Sequence, residues 1–221
     1  MTPSRFASKI SPMPRKTYHH GDLKNALIKA GIEILSKEGV AGLSLRKVAR
    51  KAGVSHAAPY AHFADKQALI AAISTEGYRM LYECIATTIA KYEDDPAKQL
   101  VEAAWAYVQF ALDDPDHFKI TLSGVVEKEK EYPAFVEMSQ KSFRAVVQIV
   151  ETCQAAGVLE AGPSDIMAVS VWSLVHGFAS LILEGQVSHS LLDRISIRDM
   201  LVLSLNQITK VKITTPMEIT P

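Results

Sequence analysis

Arg46, Lys47, Arg50 and Lys51 crowd one short run of the chain, and Lys66 comes after a break. Guanidinium and ammonium groups at this density hold phosphate oxygens; they do not make or break bonds. Ser44 and Ser55 stand where two helices would begin, and a helix start adds free N–H groups and a positive dipole end that suit an anion. A merely solvated helix face would carry similar charge, so the run between the serines has to decide. There Ala49 and Gly53, four apart, supply the small residues that two steeply crossing helices need. Val48 and Val54 can fill the angle beneath them. Helix, glycine-containing turn and second short helix make a helix-turn-helix over Leu45–Phe63.

The elements around this window read as helices throughout. Leu23, Leu27, Ala30 and Ile34 recur at helical spacing ahead of Gly39, a C-cap candidate. Ser44 opens a helix that Gly53 stops, Ser55 opens a third reaching Phe63, and Asp65 caps a fourth with Leu69, Ile73, Met80 and Cys84 on one face. Asp95-Pro96 starts the next, with Val101, Trp105, Val108 and Leu112 in a stripe, and Asp113–Asp116 ends it. A short segment, His117 to Leu122, precedes a charged stretch from Glu127 to Glu131. A helix bearing Phe135, Met138, Val146, Ile149 and Cys153 then runs to Gly157. Two further helices come after it, Asp165–Leu183 and Ser196–Lys210. The fold class is therefore all-α, a three-helix head on a larger helical body. The expected division is a flexible basic arm at 1–17, the head at 18–66, the body at 67–210 and a tail at 211–221.

The 221 residues are 48% apolar, enough to bury a core without staples, and formally neutral. Neutrality conceals an asymmetry: residues up to Ile70 carry a net +8 and the remainder a net −8. A basic head on an acidic body fits a polyanionic partner for the head. Cys84 and Cys153 are too few for a disulfide framework, and each falls on an apolar stripe, so both read as reduced structural thiols in a cytoplasmic protein. Prolines 3, 12 and 14 break Met1–Arg15, which reads as an arm rather than a leader; Tyr18, His19 and His20 could extend it toward phosphates or a minor groove. Ile166–Leu183 holds no charge across eighteen residues, close to a membrane span. Its interior Ser170, Ser173, Gly177 and Ser180 form a small-residue seam, and no Lys/Arg cluster flanks it. Burial against a core on one side and a second subunit on another is the reading taken, with no membrane.

Gly42-Leu43-Ser44-Leu45-Arg46-Lys47-Val48-Ala49-Arg50-Lys51-Ala52-Gly53-Val54-Ser55, followed by Tyr60-Ala61-His62-Phe63-Ala64-Asp65-Lys66, resembles the DNA-binding region of tetracycline-repressor (TetR) type regulators. The likeness extends from Tyr18 to Ile73. Trp172 to Phe178 is also similar to a Trp…His-Gly signature in the C-terminal domains of one branch. The resemblance implies a recognition helix in third place, a linking fourth helix, an effector-binding body and a homodimer built by the last two long helices. It assigns phosphate contacts to Ser44, Arg46, Tyr60, His62 and Lys66, and a major-groove position to Ser55, His56, Ala57, Ala58 and Tyr60. Alanine methyls can only pack, so hydrogen-bond readout would fall to Ser55 and His56. His56, Ala57-Ala58 and Pro59 depart from the family's usual residues, and Pro59 should tilt the recognition helix or wind its first turn into a 3₁₀ form.

The function these features imply is that of a dimeric, sequence-specific DNA-binding regulator, a repressor of a palindromic double-stranded operator, tuned by a small, largely apolar effector. The aromatic and soft residues offered for the effector pocket are Trp105, Tyr107, Phe110, Phe118, Met138, Phe143, Trp172 and His176. No catalytic motif, cofactor motif or metal-ligand spacing is present, so no enzyme is expected. A helical scaffold that has lost operator binding, or an enzyme with a dispersed site, is the competing reading.

Overall fold

A computed structural model describes residues 20–214. The arm assigned to 1–17, together with Tyr18 and His19, lies outside them. Among the described residues all regular structure is helical: α1 (His20–Gly42), α2 (Leu45–Lys51), α3 (Lys66–Lys91), α4 (Pro96–Asp113), α5 (Pro115–Leu122), α6 (Pro133–Ala155), α7 (Ser164–Leu183), α8 (His189–Leu192) and α9 (Ile197–Leu205). Two 3₁₀ turns, Ala58–Ala61 and Glu129–Glu131, join them.

Side-chain caps set the helix starts. Ser44 accepts from Lys47 N at 3.2 Å, Asp65 from Ala68 N at 2.8 Å, Asp95 from Lys98 N at 3.0 Å and Asp114 from His117 N at 3.3 Å. Each such cap stabilises by about 1 kcal/mol. Gly39 breaks α1 at φ 65°, and Gly53 ends the α2 turn at φ 70°, both left-handed positions that glycine reaches without strain.

The head is not closed off at residue 66. Leu27, Ile34, Leu43, Leu45, Val48 and Phe63 share one core with Leu69, Ile70 and Ile73 of α3, and Ile120, Val126 and Phe135 of the body complete it. Complete burial of a leucine or isoleucine such as Leu27 or Ile73 stabilises by roughly 1.5–3 kcal/mol. A second core gathers α4, α6, α7 and α9 around the later turns of α3. One helix thus crosses from the first core into the second.

Three sequence expectations need correction. The third element is no α-helix from Ser55 to Phe63 but the 3₁₀ stretch Ala58–Ala61; the proline has displaced the regular turn. The buried face of α3 runs Leu69, Ile73, Gly77, Leu81, Ile85. Met80 is only half-buried and Cys84 is exposed, so Cys84 is no core thiol, unlike the buried Cys153. Gly77 hid that register: it carries no apolar side chain because Thr121 of α5 packs where a Cβ would stand. Finally, α9 stops at Leu205 and continues only as a turn.

α7 is long and apolar enough to cross a membrane by length and composition alone. It packs against α4, α6 and α9 through Ala168, Val171, Val175 and Ala179. It is not covered all round: Ile166, Val169, Trp172 and Leu181 are exposed in the single chain, beside the equally open Ser170 and Ser173.

Candidate nucleic-acid interface and body cavity

The head presents the end of α2 and the 3₁₀ turn to solvent. Ser44, Arg46 and Arg50 are exposed on α2, then Ser55, His56, Ala57, Tyr60 and Lys66 beyond it; Ala58 and His62 are half-buried. Phe63 and Pro59 anchor the turn from beneath, so Tyr60, 56% exposed, must point outward. Ser55 lends its carbonyl to Ala58 N at 3.0 Å, and its side chain caps nothing. The expected α-helix start at Ser55, with its dipole, is therefore missing, and anion binding at this turn falls to side chains and to the exposed N–H groups of Ser55, His56 and Ala57, which make no backbone bond among the described residues.

The cations divide into two sets that the sequence does not separate. Lys51 pairs with Glu33 at 2.6 Å, and Lys47 pairs with Glu38, both carboxylates on α1. The Lys51 ammonium holds the Glu33 carboxyl below its usual pKa by hydrogen bond and charge. Arg46, Arg50 and Lys66 make no ion pair among the described residues. Glu33 and Glu38 were missed because an acidic residue one helix away gives no local signal.

The body contains a cavity of about 310 Å³ bounded by α3, α4, α6 and α7, with Leu122 of α5 also in its wall. Of the residues offered for it, Tyr107, Phe143 and Trp172 line the space. Trp105, Phe110, Phe118, Met138 and His176 do not. Trp105 lies under the Arg198 guanidinium, 5.4 Å from its ring centre, while Phe110 and Phe118 pack edge to face in the core. His176 stands directly behind the wall, its Nδ1 2.8 Å from the Tyr107 hydroxyl. Trp172 Nε1 donates to the same oxygen at 3.3 Å. Burial pushes the Tyr107 phenol pKa up and the His176 pKa down.

Most of the wall was missed because it is aliphatic or small: Leu81 and Ile85 of α3, Ala103 and Ala104 of α4, Val146 and Ile149 of α6. The adjacent alanines on α4 were the available signal, since two small residues among bulky ones leave room.

Two family models match the chain. Residues 27–73 match the tetR family of bacterial regulatory proteins, and residues 100–204 match the tetracyclin repressor-like C-terminal domain. The chain belongs to the TetR family. A solved structure of a Rhodococcus sp. RHA1 protein of unknown function is 31% identical, covers 87% of this chain and 96% of its own, and superposes with a TM-score of 0.70. The uncharacterized HTH-type regulator YobS of Bacillus subtilis is 30% identical over 111 residues, half of this chain and 57% of that protein. The class A tetracycline repressor of transposon 1721 from Escherichia coli is 34% identical over 88 residues, 40% of this chain and 39% of that protein. The alignments thus span about half the length of these two relatives. Membership supports a DNA-binding, transcription-regulating role. Trp172 and His176 fall within the segment that matches the C-terminal domain.

Proposed function

We propose that this TetR-family chain is a homodimeric repressor that reads a palindromic operator and responds to a small, largely apolar effector held in the body cavity. The carrying observation is α3 itself. Its first turns belong to the core that fixes the recognition segment, and its later residues Leu81 and Ile85 line the cavity. An effector that favours one placement of α3 therefore biases the placement of the head, and a bias of about 1–3 kcal/mol changes operator affinity roughly 5–150-fold.

In this reading Arg46 and Lys66 grip phosphates, with Ser44, Tyr60 and His62 alongside; Ser55, His56, Ala57 and Ala58 face base edges. The exposed apolar residues of α7, with Leu203 of α9, support pairing of two copies through these helices. The Trp172–His176–Gly177 run supports placement in the branch with that signature. Selecting bound sites from a random duplex pool tests the reading. The wild type should enrich a two-fold motif. Arg46→Ala should weaken all sequences alike, and His56→Ala should relax choice at one base position. A monomer that ignores duplex even at low salt would refute it.

A further inference from the structure

Among the described residues, no ionised side chain lines the body cavity. Apolar carbons form most of its wall, and the polar groups are the hydroxyls of Tyr78, Tyr107, Ser139 and Ser142, the Gln140 amide and the Trp172 indole. Ser142 is already committed to backbone, its hydroxyl lying 2.9 Å from Tyr78 O and 3.0 Å from Met138 O. An anion or a cation entering here would lose its hydration shell and meet no opposite charge. The walled depth of the cavity thus disfavours ions.

The buried Tyr107 carries a hydroxyl oxygen bonded to two further side chains, and the direction of each bond follows from the donors and acceptors present. Trp172 Nε1 can only donate to it. If His176 Nδ1 also donated, the phenol proton would be left facing an apolar space unpaired. If the phenol donates to Nδ1 instead, indole, phenol and imidazole form a relay in which both the indole and the phenol proton are paired. Burial agrees, because it keeps Tyr107 protonated and favours a neutral imidazole at His176, which has an acceptor nitrogen to offer. The relay leaves the Tyr107 oxygen with one unused lone pair at the cavity wall. A ligand can meet that with a donor and not with an acceptor.

Size is set by volume. A dry apolar cavity of about 150 Å³ admits benzene, so 310 Å³ admits a molecule of about twice that bulk, on the order of 10–14 non-hydrogen atoms.

We propose that the cavity selects an uncharged alcohol or phenol of about this size, whose hydroxyl proton is donated to Tyr107 Oη. This rests on the effector-site reading above and adds the ligand's charge, bulk and hydrogen-bond sense. The test uses the full chain and four probes of one shape: naphthalene, 2-methoxynaphthalene, 2-naphthol and 2-naphthoate, by titration calorimetry at neutral pH. 2-Naphthol should bind about three- to tenfold tighter than naphthalene or its methyl ether, the usual gain from one added hydrogen bond. 2-Naphthoate should bind more weakly than all three. Tyr107→Phe should erase the naphthol advantage, read as the ratio of naphthol to naphthalene affinity within the variant, and its urea unfolding transition reports whether it is folded. Tightest binding by naphthoate, equal binding of naphthol and its ether, or an absence of binding by every probe would overturn the proposal. The wild-type series decides this even if the variant does not fold. Duplex affinity measured with and without 2-naphthol separates the two readings: selective binding that leaves duplex affinity unchanged refutes the regulatory coupling and keeps the ligand class.

Discussion

His117 on α5 donates from Nε2 to the main-chain carbonyl of Ile73 on α3, 2.9 Å away in a buried site. Ile73 is where α3 leaves the head core, so this bond ties the body to the crossing helix. The carbonyl can only accept, which fixes the proton on Nε2 and turns Nδ1 toward Asp114, 3.6 Å away. His117→Phe keeps the ring volume and removes the bond, and should lower the unfolding free energy by about 1–2 kcal/mol in urea titrations. His117→Ala should cost more, since it also leaves a void beside Phe110. A phenylalanine variant as stable as wild type would show that the bond adds nothing to the junction.

Glu33 and Glu38 hold two α2 lysines back against α1. Glu33→Gln should release Lys51 to a polyanion. Duplex affinity should rise at low salt, and the slope of log affinity against log salt should steepen by up to about 0.9 for the one freed cation. Folding stability should change by less than about 1 kcal/mol, because the pair is exposed. An unchanged slope would mean that Lys51 faces away from the duplex.

The head was legible because its signals are local. Ser44, Gly53 and Asp65 act on residues three or four positions away, and they occupy the expected caps and stop. Inside the head the failure was local, at Pro59, which left Ser55 without its helix; elsewhere, what failed depended on a distant partner. The register of α3 is set at Gly77 by Thr121 of another helix, and apolar spacing alone favoured the neighbouring ridge through Met80 and Cys84. The cavity is a gap between five helices. Its wall of valines, leucines and alanines cannot be told from ordinary core until the helices are placed, whereas aromatic residues stand out in the sequence whether or not they line it. Even so, Tyr107, Phe143 and Trp172 were within reach, because a large ring beside small neighbours marks both cores and cavities.

Pro59 should determine how the recognition turn sits. The Ser55 carbonyl accepts from Ala58 N, a tight 3₁₀ pairing, because residue 59 has no N–H to give it the wider helical bond. Pro59→Leu restores that donor and should let the segment wind into an α-helix. Stability should fall by no more than about 1–3 kcal/mol, as the buried ring is replaced by a larger side chain. Operator choice should change more, since rewinding rotates His56 and Tyr60 against the groove. Identical selected motifs from the two proteins would make the proline incidental.

His176 gives the fold a dependence on mild acid. Burial depresses its pKa in the folded protein below the ordinary value of about 6.5. Between those two values the unfolded chain binds more protons than the folded one, so stability rises with pH there. The stabilisation is complete above about pH 6.5, is lost as pH falls through the folded value, and levels off below it. Protonation would also take away the Nδ1 lone pair that accepts from Tyr107, so the loss should be accompanied by a change in Trp172 fluorescence, whose indole is bonded to the same phenol. Urea midpoints from pH 7.5 down to 5 should fall in wild type and fall less steeply in His176→Gln. Parallel profiles for the two proteins would show that another group carries the acid sensitivity and that the relay is not titrating in this range.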